Sequence, residues 1–147
     1  IQGDEIWMYY IGINDPHTGH EEVQDQYVLT RVVLRKDGFT CVASSYEGGE
    51  FTTPPLQVTG NQLRLNIDTS AMGLARVEIQ DADGVALPGF SLDDCDRIHA
   101  TNVTQHAVTW NGKADVGAVV AQPIRLRIEF QFGTRLYAFR FARAENS

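Results

Sequence analysis

PIRLRIEFQF, residues 123–132, alternates without a break: Ile124, Leu126, Ile128, Phe130 and Phe132 fall on one side of an extended chain, and Arg125, Arg127, Glu129 and Gln131 on the other. Successive side chains of a β-strand point to opposite faces, so this spacing specifies a strand with one buried and one wet face. QLRLNID (62–68) repeats the pattern with Leu63, Leu65 and Ile67 inward, and ARVEIQD (75–81) with Ala75, Val77 and Ile79 inward. A Gly-Thr pair follows the first stretch. LYAFRF (136–141) then brings Tyr137, Phe139 and Phe141 to one face, which reads as the second arm of an antiparallel hairpin. Asp-Gly pairs support the positive φ angles of tight turns, and they fall at 37–38, between YVLTRVVLR and FTCVAS, and at 83–84. Asp115 is placed to cap a single helical turn with Val116, Val119 and Val120 inward, ended by Pro123. About nine short strands and no long helix predict an all-β fold, an antiparallel β-sandwich of jelly-roll or concanavalin-like type.

Composition bounds what such a fold can do. A chain of 147 residues, 43% of them hydrophobic, holds one main domain with a real core. Twelve basic against nineteen acidic residues give a net charge of −7, and no Lys/Arg cluster occurs. A phosphate-tracking surface for nucleic acid is therefore not expected. No apolar run reaches the roughly 18 residues that span a bilayer as a helix, and no membrane partner is expected. Cys41 and Cys95 are too few for a disulfide scaffold. Pairing them would close a long loop, worth about 4 kcal/mol on chain-entropy grounds. Cys41, however, lies in an apolar strand pattern that suits a buried, reduced thiol.

The first residues differ from the rest. In GDEIWMYYIG (3–12), Trp7, Tyr9 and Ile11 face one way and Ile6, Met8 and Tyr10 the other, so both faces are apolar and both need cover. A polar, turn-rich stretch, INDPHTGHEEVQDQ (13–26), follows. Residues 1–26 are expected to be a terminal strand and linker from another domain, with the sandwich at 27–147. Exposed Trp7, Tyr9 and Tyr10 would favour self-association.

Four groups of residues carry candidate chemistry. Asp93, Asp94, Asp96 and His99 form the densest polar cluster, and would suit a cation or a sugar only if their oxygens converge. Trp110, with Asn111 and Asp115 nearby, reads either as an aromatic platform for a sugar ring or as a core residue with its N–H satisfied. Tyr46 and Glu47 in SYEGGE are a second place for sugar contact. His17 and His20 in HTGH lack a third ligand and the helix that would align them, so no metal and no other cofactor is expected. Asn102-Val103-Thr104 is a glycosylation sequon, and neither Ser44-Ser45 nor Ser91 has a nucleophile-elbow context.

Taken in order, GDEIWMYYIG, LTRVVLRKDGFTCVAS, EFTTPPLQVTGNQLRLNID, RVEIQDADGVALPGFSLDDCDRI, VTWNG and PIRLRIEFQFGTRLYAFRF resemble the C-terminal part of bacterial secreted proteins related to the superfamily of glycoside hydrolase families thirty-two and forty-three. The resemblance implies a five-bladed β-propeller upstream that carries the catalytic carboxylates, followed by this β-sandwich. GDEIWMYYIG would be the last propeller strand. Asn14-Asp15-Pro16 approximates one propeller motif, but it follows a terminal strand and reads as turn chemistry. The implied role is a non-catalytic accessory sandwich, partnered by the propeller of its own chain, in an extracellular or periplasmic protein. The alternative is an autonomous carbohydrate-binding module.

Overall fold

The computed structural model describes residues 1–13, 27–119 and 121–144, which form two compact units, Ile1–Phe39 and Thr40–Ser147. Asn14-Asp15-Pro16, His17, His20 and Val120 lie outside the described residues.

The first unit is a ribbon of two antiparallel strands, β1 (Glu5–Ile13) and β2 (Tyr27–Arg35), with Trp7 opposite Val33, Tyr9 opposite Arg31 and Ile11 opposite Leu29. The sequence places the domain break before Tyr27. In the structure Tyr27–Arg35 pairs with β1 alone, and the compact unit runs on to Phe39. The two strands match because β2, like β1, is apolar on both sides: Val28, Val32 and Leu34 join Ile6, Met8 and Tyr10 on one face, and Leu29 and Val33 join Trp7 and Ile11 on the other. The Arg31 guanidinium sits 4.0 Å above the Trp7 ring, whose Nε1–H donates to Glu5 Oε2 at 2.6 Å. Lys36-Asp37-Gly38 therefore joins no hairpin, since β2 pairs with β1 and the next strand pairs elsewhere.

Among the described residues the second unit carries eight strands: β3 (Val42–Ala43), β4 (Gly49–Thr52), β5 (Gln62–Asp68), β6 (Leu74–Gln80), β7 (Ile98–His99), β8 (Asn102–Ala107), β9 (Arg125–Gln131) and β10 (Arg135–Ala142). They form two four-stranded antiparallel sheets, ordered β3-β10-β5-β8 and β4-β9-β6-β7. In each pair β3/β4, β5/β6, β7/β8 and β9/β10, the two strands lie in different sheets, which is the winding of a jelly-roll sandwich. Leu63, Leu65, Ile67 and Leu136 from one sheet and Ala75, Val77, Ile79, Leu126, Ile128 and Phe130 from the other are buried in one core. Every position expected inward on β5 and β6, and Leu126, Ile128 and Phe130 on β9, sits there.

Three local expectations change. First, β9 and β10 do not form a hairpin. The Gln131–Thr134 turn carries the chain from one sheet to the other, and Phe132 leaves the strand to become exposed. Phe132 has φ 57° and Gly133 φ 76°, a left-handed pair, and a left-handed conformation costs a non-glycine residue about 1–2 kcal/mol. Second, a bulge between Leu136 and Ala138 inserts Tyr137, so Leu136, Phe139 and Phe141 are the residues that meet the core. Third, Asp115 caps a turn and not a helix: its Oδ1 accepts the Gly117 N–H at 2.8 Å, and the Val119 N–H reaches the Val116 carbonyl at 3.1 Å. Val116 is buried as expected. The Asp83-Gly84 turn does close as a hairpin, with Gln80 bridged to Ala86.

Two buried threonines tie the crossing turns at one end of the sandwich. Thr69 Oγ1 accepts the Thr101 N–H at 3.0 Å, and Thr134 Oγ1 lies 2.8 Å from the Gln131 carbonyl and 3.3 Å from that of Leu74. Gly73 lies between them. A Cβ on Gly73 would run into the Thr69 carbonyl and Thr134 Oγ1. Gly73→Ala is accordingly expected to destabilise the sandwich by about 1–3 kcal/mol or more, in spite of the entropy that alanine removes from the unfolded chain. Chemical denaturation measures it, and an unchanged midpoint would show that this end is loosely packed.

Candidate functional site

Trp110 is only 2% exposed. Its Nε1–H donates to the Val77 carbonyl at 2.9 Å, and its ring meets Phe90 edge-on with centroids 5.3 Å apart. The platform reading of Trp110 is thereby corrected. The ring faces inward because β7 covers only the first residues of β6, so the backbone edge at Val77 is free for side chains. Asn111 and Gly112 form the tight turn beyond it, with φ 51° and 76°.

The acidic cluster is built around that turn. Asp94 Oδ2 accepts the Ser91 hydroxyl at 2.6 Å, and its Oδ1 accepts the Asn111 amide at 3.1 Å. Asp96 Oδ2 accepts the Thr109 hydroxyl at 2.6 Å and the Gly112 N–H at 2.8 Å. These hydrogen bonds, led by Ser91 for Asp94 and by Thr109 for Asp96, hold both carboxyls below the usual carboxylate range. Their contribution to stability is present above the ordinary carboxylate pKa and is lost as pH falls through the lowered values. Asp93 points away, almost fully exposed, 3.4 Å from Arg76. His99 is exposed on β7. The four residues do not converge, and no group of three metal-ligating side chains occurs among the described residues.

Trp110, Asn111 and Asp115 do share the rim of a depression of about 230 Å³, together with Gly89, Phe90 and Lys113. Tyr46 and Glu47 are exposed on a separate loop, where the Tyr46 ring meets Phe132 edge-on at 5.2 Å. A second depression of about 210 Å³ lies on the outer face of the β4-β9-β6-β7 sheet, lined by Leu74, Arg76, Arg97, Glu129, Phe130 and Gln131. Arg76 is fixed there by Glu129 Oε2, 3.2 Å from its Nε and 2.7 Å from its Nη2. Sequence reasoning missed Phe132 as an exposed aromatic and missed Arg97. The signal for Phe132 was its place before Gly133, at the end of a strand.

Both thiols are free, and Cys41 is not buried as its apolar strand pattern predicts. Cys41 is exposed, outside the two-residue β3. Cys95 is buried, its Sγ accepting the Val77 N–H at 3.2 Å, and burial pushes its pKa up to about 11. Half-buried His106 is held below its ordinary value by desolvation and by the Arg64 charge.

No family model, curated protein or solved structure matches the chain.

Two outcomes follow from this geometry. Trp110→Ala should cost about 3–5 kcal/mol in a denaturation experiment, as for other buried aromatics, and a change below about 1 kcal/mol would return the ring to the surface. Titration with a thiol-specific aromatic disulfide at neutral pH should modify Cys41 at once and Cys95 only at the rate of unfolding. Rapid reaction of both thiols in the folded protein would contradict the burial of Cys95.

Proposed function

We propose that this chain is a non-catalytic accessory β-sandwich of a propeller-type glycoside hydrolase-like protein of the bacterial secreted kind, extracellular or periplasmic, and that the β1-β2 ribbon is the part that meets the propeller. The observation that carries this reading is the ribbon itself. Tyr10, Val28 and Val32 stand exposed on one face, and Tyr9, Ile11 and Leu29 on the other. An isolated two-stranded ribbon is marginal in water, and one that is apolar on both sides gains stability only when both sides are covered. A strand set between neighbouring propeller blades is covered in that way. The order of sequence blocks quoted above supports the same reading. So does the engagement of Asp94 and Asp96, whose oxygens brace the 111–112 turn and are not turned toward a cleft.

Hydrolysis assays with sucrose, fructans, arabinans and aryl glycosides should give no turnover above buffer, while an apolar fluorescent dye should bind and lose most of its signal in Tyr10→Lys with Val32→Lys. Turnover that disappears in Asp94→Asn, or dye binding indifferent to the ribbon substitutions, would overturn the reading.

A further inference from the structure

Asn111-Gly112 and Phe132-Gly133 are two turns of the same form, with φ of 51° and 76° in the first and 57° and 76° in the second. Asparagine is among the few non-glycine residues that enter the left-handed region readily, because its short side chain hydrogen-bonds locally. Phenylalanine has no such compensation, and its ring at this position does not join the core: Phe132 is 38% exposed. Its ring contact is Tyr46, 68% exposed. An exposed aromatic held in a strained backbone, against a second exposed aromatic, gains little for the fold. Strain of this kind, observed and not assumed, points to contact with something outside the chain.

The pair is held in place. The Ser44 N–H donates to the Thr134 carbonyl at 3.0 Å and the Gly133 N–H to the Ser45 carbonyl at 3.4 Å, so the Tyr46 loop is laced to the Phe132 turn from both sides. Ser45 Oγ closes the loop on the Gly48 carbonyl at 3.1 Å. Gly48, with φ 102°, passes so close to β9 that a Cβ would meet the Gln131 side chain at 2.9 Å. Gln131 in turn lines the depression on the outer face of the sheet, whose other polar walls are Arg76, Arg97 and Glu129.

We propose that this edge of the sandwich is a binding site for a neutral saccharide, with Phe132 and Tyr46 as the stacking surface and the Arg76, Arg97, Glu129 and Gln131 depression as the hydrogen-bonding wall. Aromatic faces take up the C–H-rich face of a sugar ring, and planar amide, guanidinium and carboxylate groups match its vicinal hydroxyls. The charges at the site nearly balance, Arg76 and Arg97 against Glu129 and Asp93, so a strongly charged ligand has no advantage there. The Arg76–Glu129 pair is already formed, and little ordering is left for binding to impose. The proposal does not rest on the accessory role.

The test uses the intact chain with cellohexaose, xylohexaose, arabinohexaose and inulin-derived fructo-oligosaccharides as probes, each titrated to about 10 mM and followed by amide NMR. At least one probe is expected to give saturable shifts at residues 44–48, 97 and 129–134. Phe132→Asn should weaken that binding at least tenfold while raising Tm, because asparagine fits the left-handed turn. Tyr46→Ala should weaken it with Tm unchanged. The proposal is overturned if no probe gives saturable shifts, if the shifts map to the Trp110 rim, if binding survives Phe132→Asn, or if that substitution lowers Tm and so gives Phe132 a structural task.

Discussion

The core of the sandwich belongs to neither sheet alone, because the chain divides its strands between them pair by pair. β5 and β6 are neighbours in sequence, yet they face each other across the interior, and so do β9 and β10. Each crossing must span about 10 Å between sheets and bring its peptide groups out of the core without leaving them unpaired. At one end Thr69 and Thr134 meet this demand with hydroxyls that bind the carbonyls and amides of neighbouring turns. The absence of a side chain at Gly73 lets the turns close to that distance. The alternation of Leu63, Leu65 and Ile67 against Val77 and Ile79 stabilises the interior only while these crossings hold the sheets in register.

At the edge of β6 the same demand is met differently. β7 pairs only with Leu74 and Ala75, and beyond it the strand edge is completed by side chains and loop backbone. The Val77 N–H goes to Cys95 Sγ, the Val77 carbonyl to the Trp110 indole, and the Ile79 N–H to the Phe90 carbonyl. Residues that look chemical in sequence (a cysteine, a tryptophan, two aspartates) thus close an irregular edge. Asp94 and Asp96 hold the Asn111-Gly112 turn from which Trp110 reaches in.

How much of this was legible follows from what kind of information each feature uses. Inward positions on β5, β6 and β9 are local, since a strand repeats every two residues whatever it pairs with, and within the strands the alternation identifies them. Pairing is not local. Gly133-Thr134 has the chemistry of a hairpin turn, and only the position of the second sheet decides that β10 lies opposite β9 instead of beside it. The alternation predicts Phe132 inward, but the strand ends one residue before it, at Gln131. For Trp110 the sequence left two directions open, and the Val77 carbonyl, 33 residues earlier and beyond the reach of β7, selects between them by accepting the indole N–H. Cys41 departs from its expected burial for a similar reason: β3 is too short to bury its flank, whereas the β6 edge offers Cys95 a donor and a buried place. Tyr46 was recognisable as an exposed aromatic, but its partner was not.

The two tryptophans fall one in each unit and in opposite surroundings. Trp7 lies on the ribbon, its ring under the Arg31 guanidinium, while Trp110 lies in the sandwich core, in contact with Phe90 and bonded to a main-chain carbonyl. An indole beside a cation at a partly wet surface and one enclosed in hydrocarbon differ in emission wavelength, in accessibility to aqueous quenchers and in near-ultraviolet ellipticity. The chain therefore contains its own pair of spectroscopic reporters. Ordering of the ribbon and melting of the sandwich can be followed as separate optical signals in the unmodified protein.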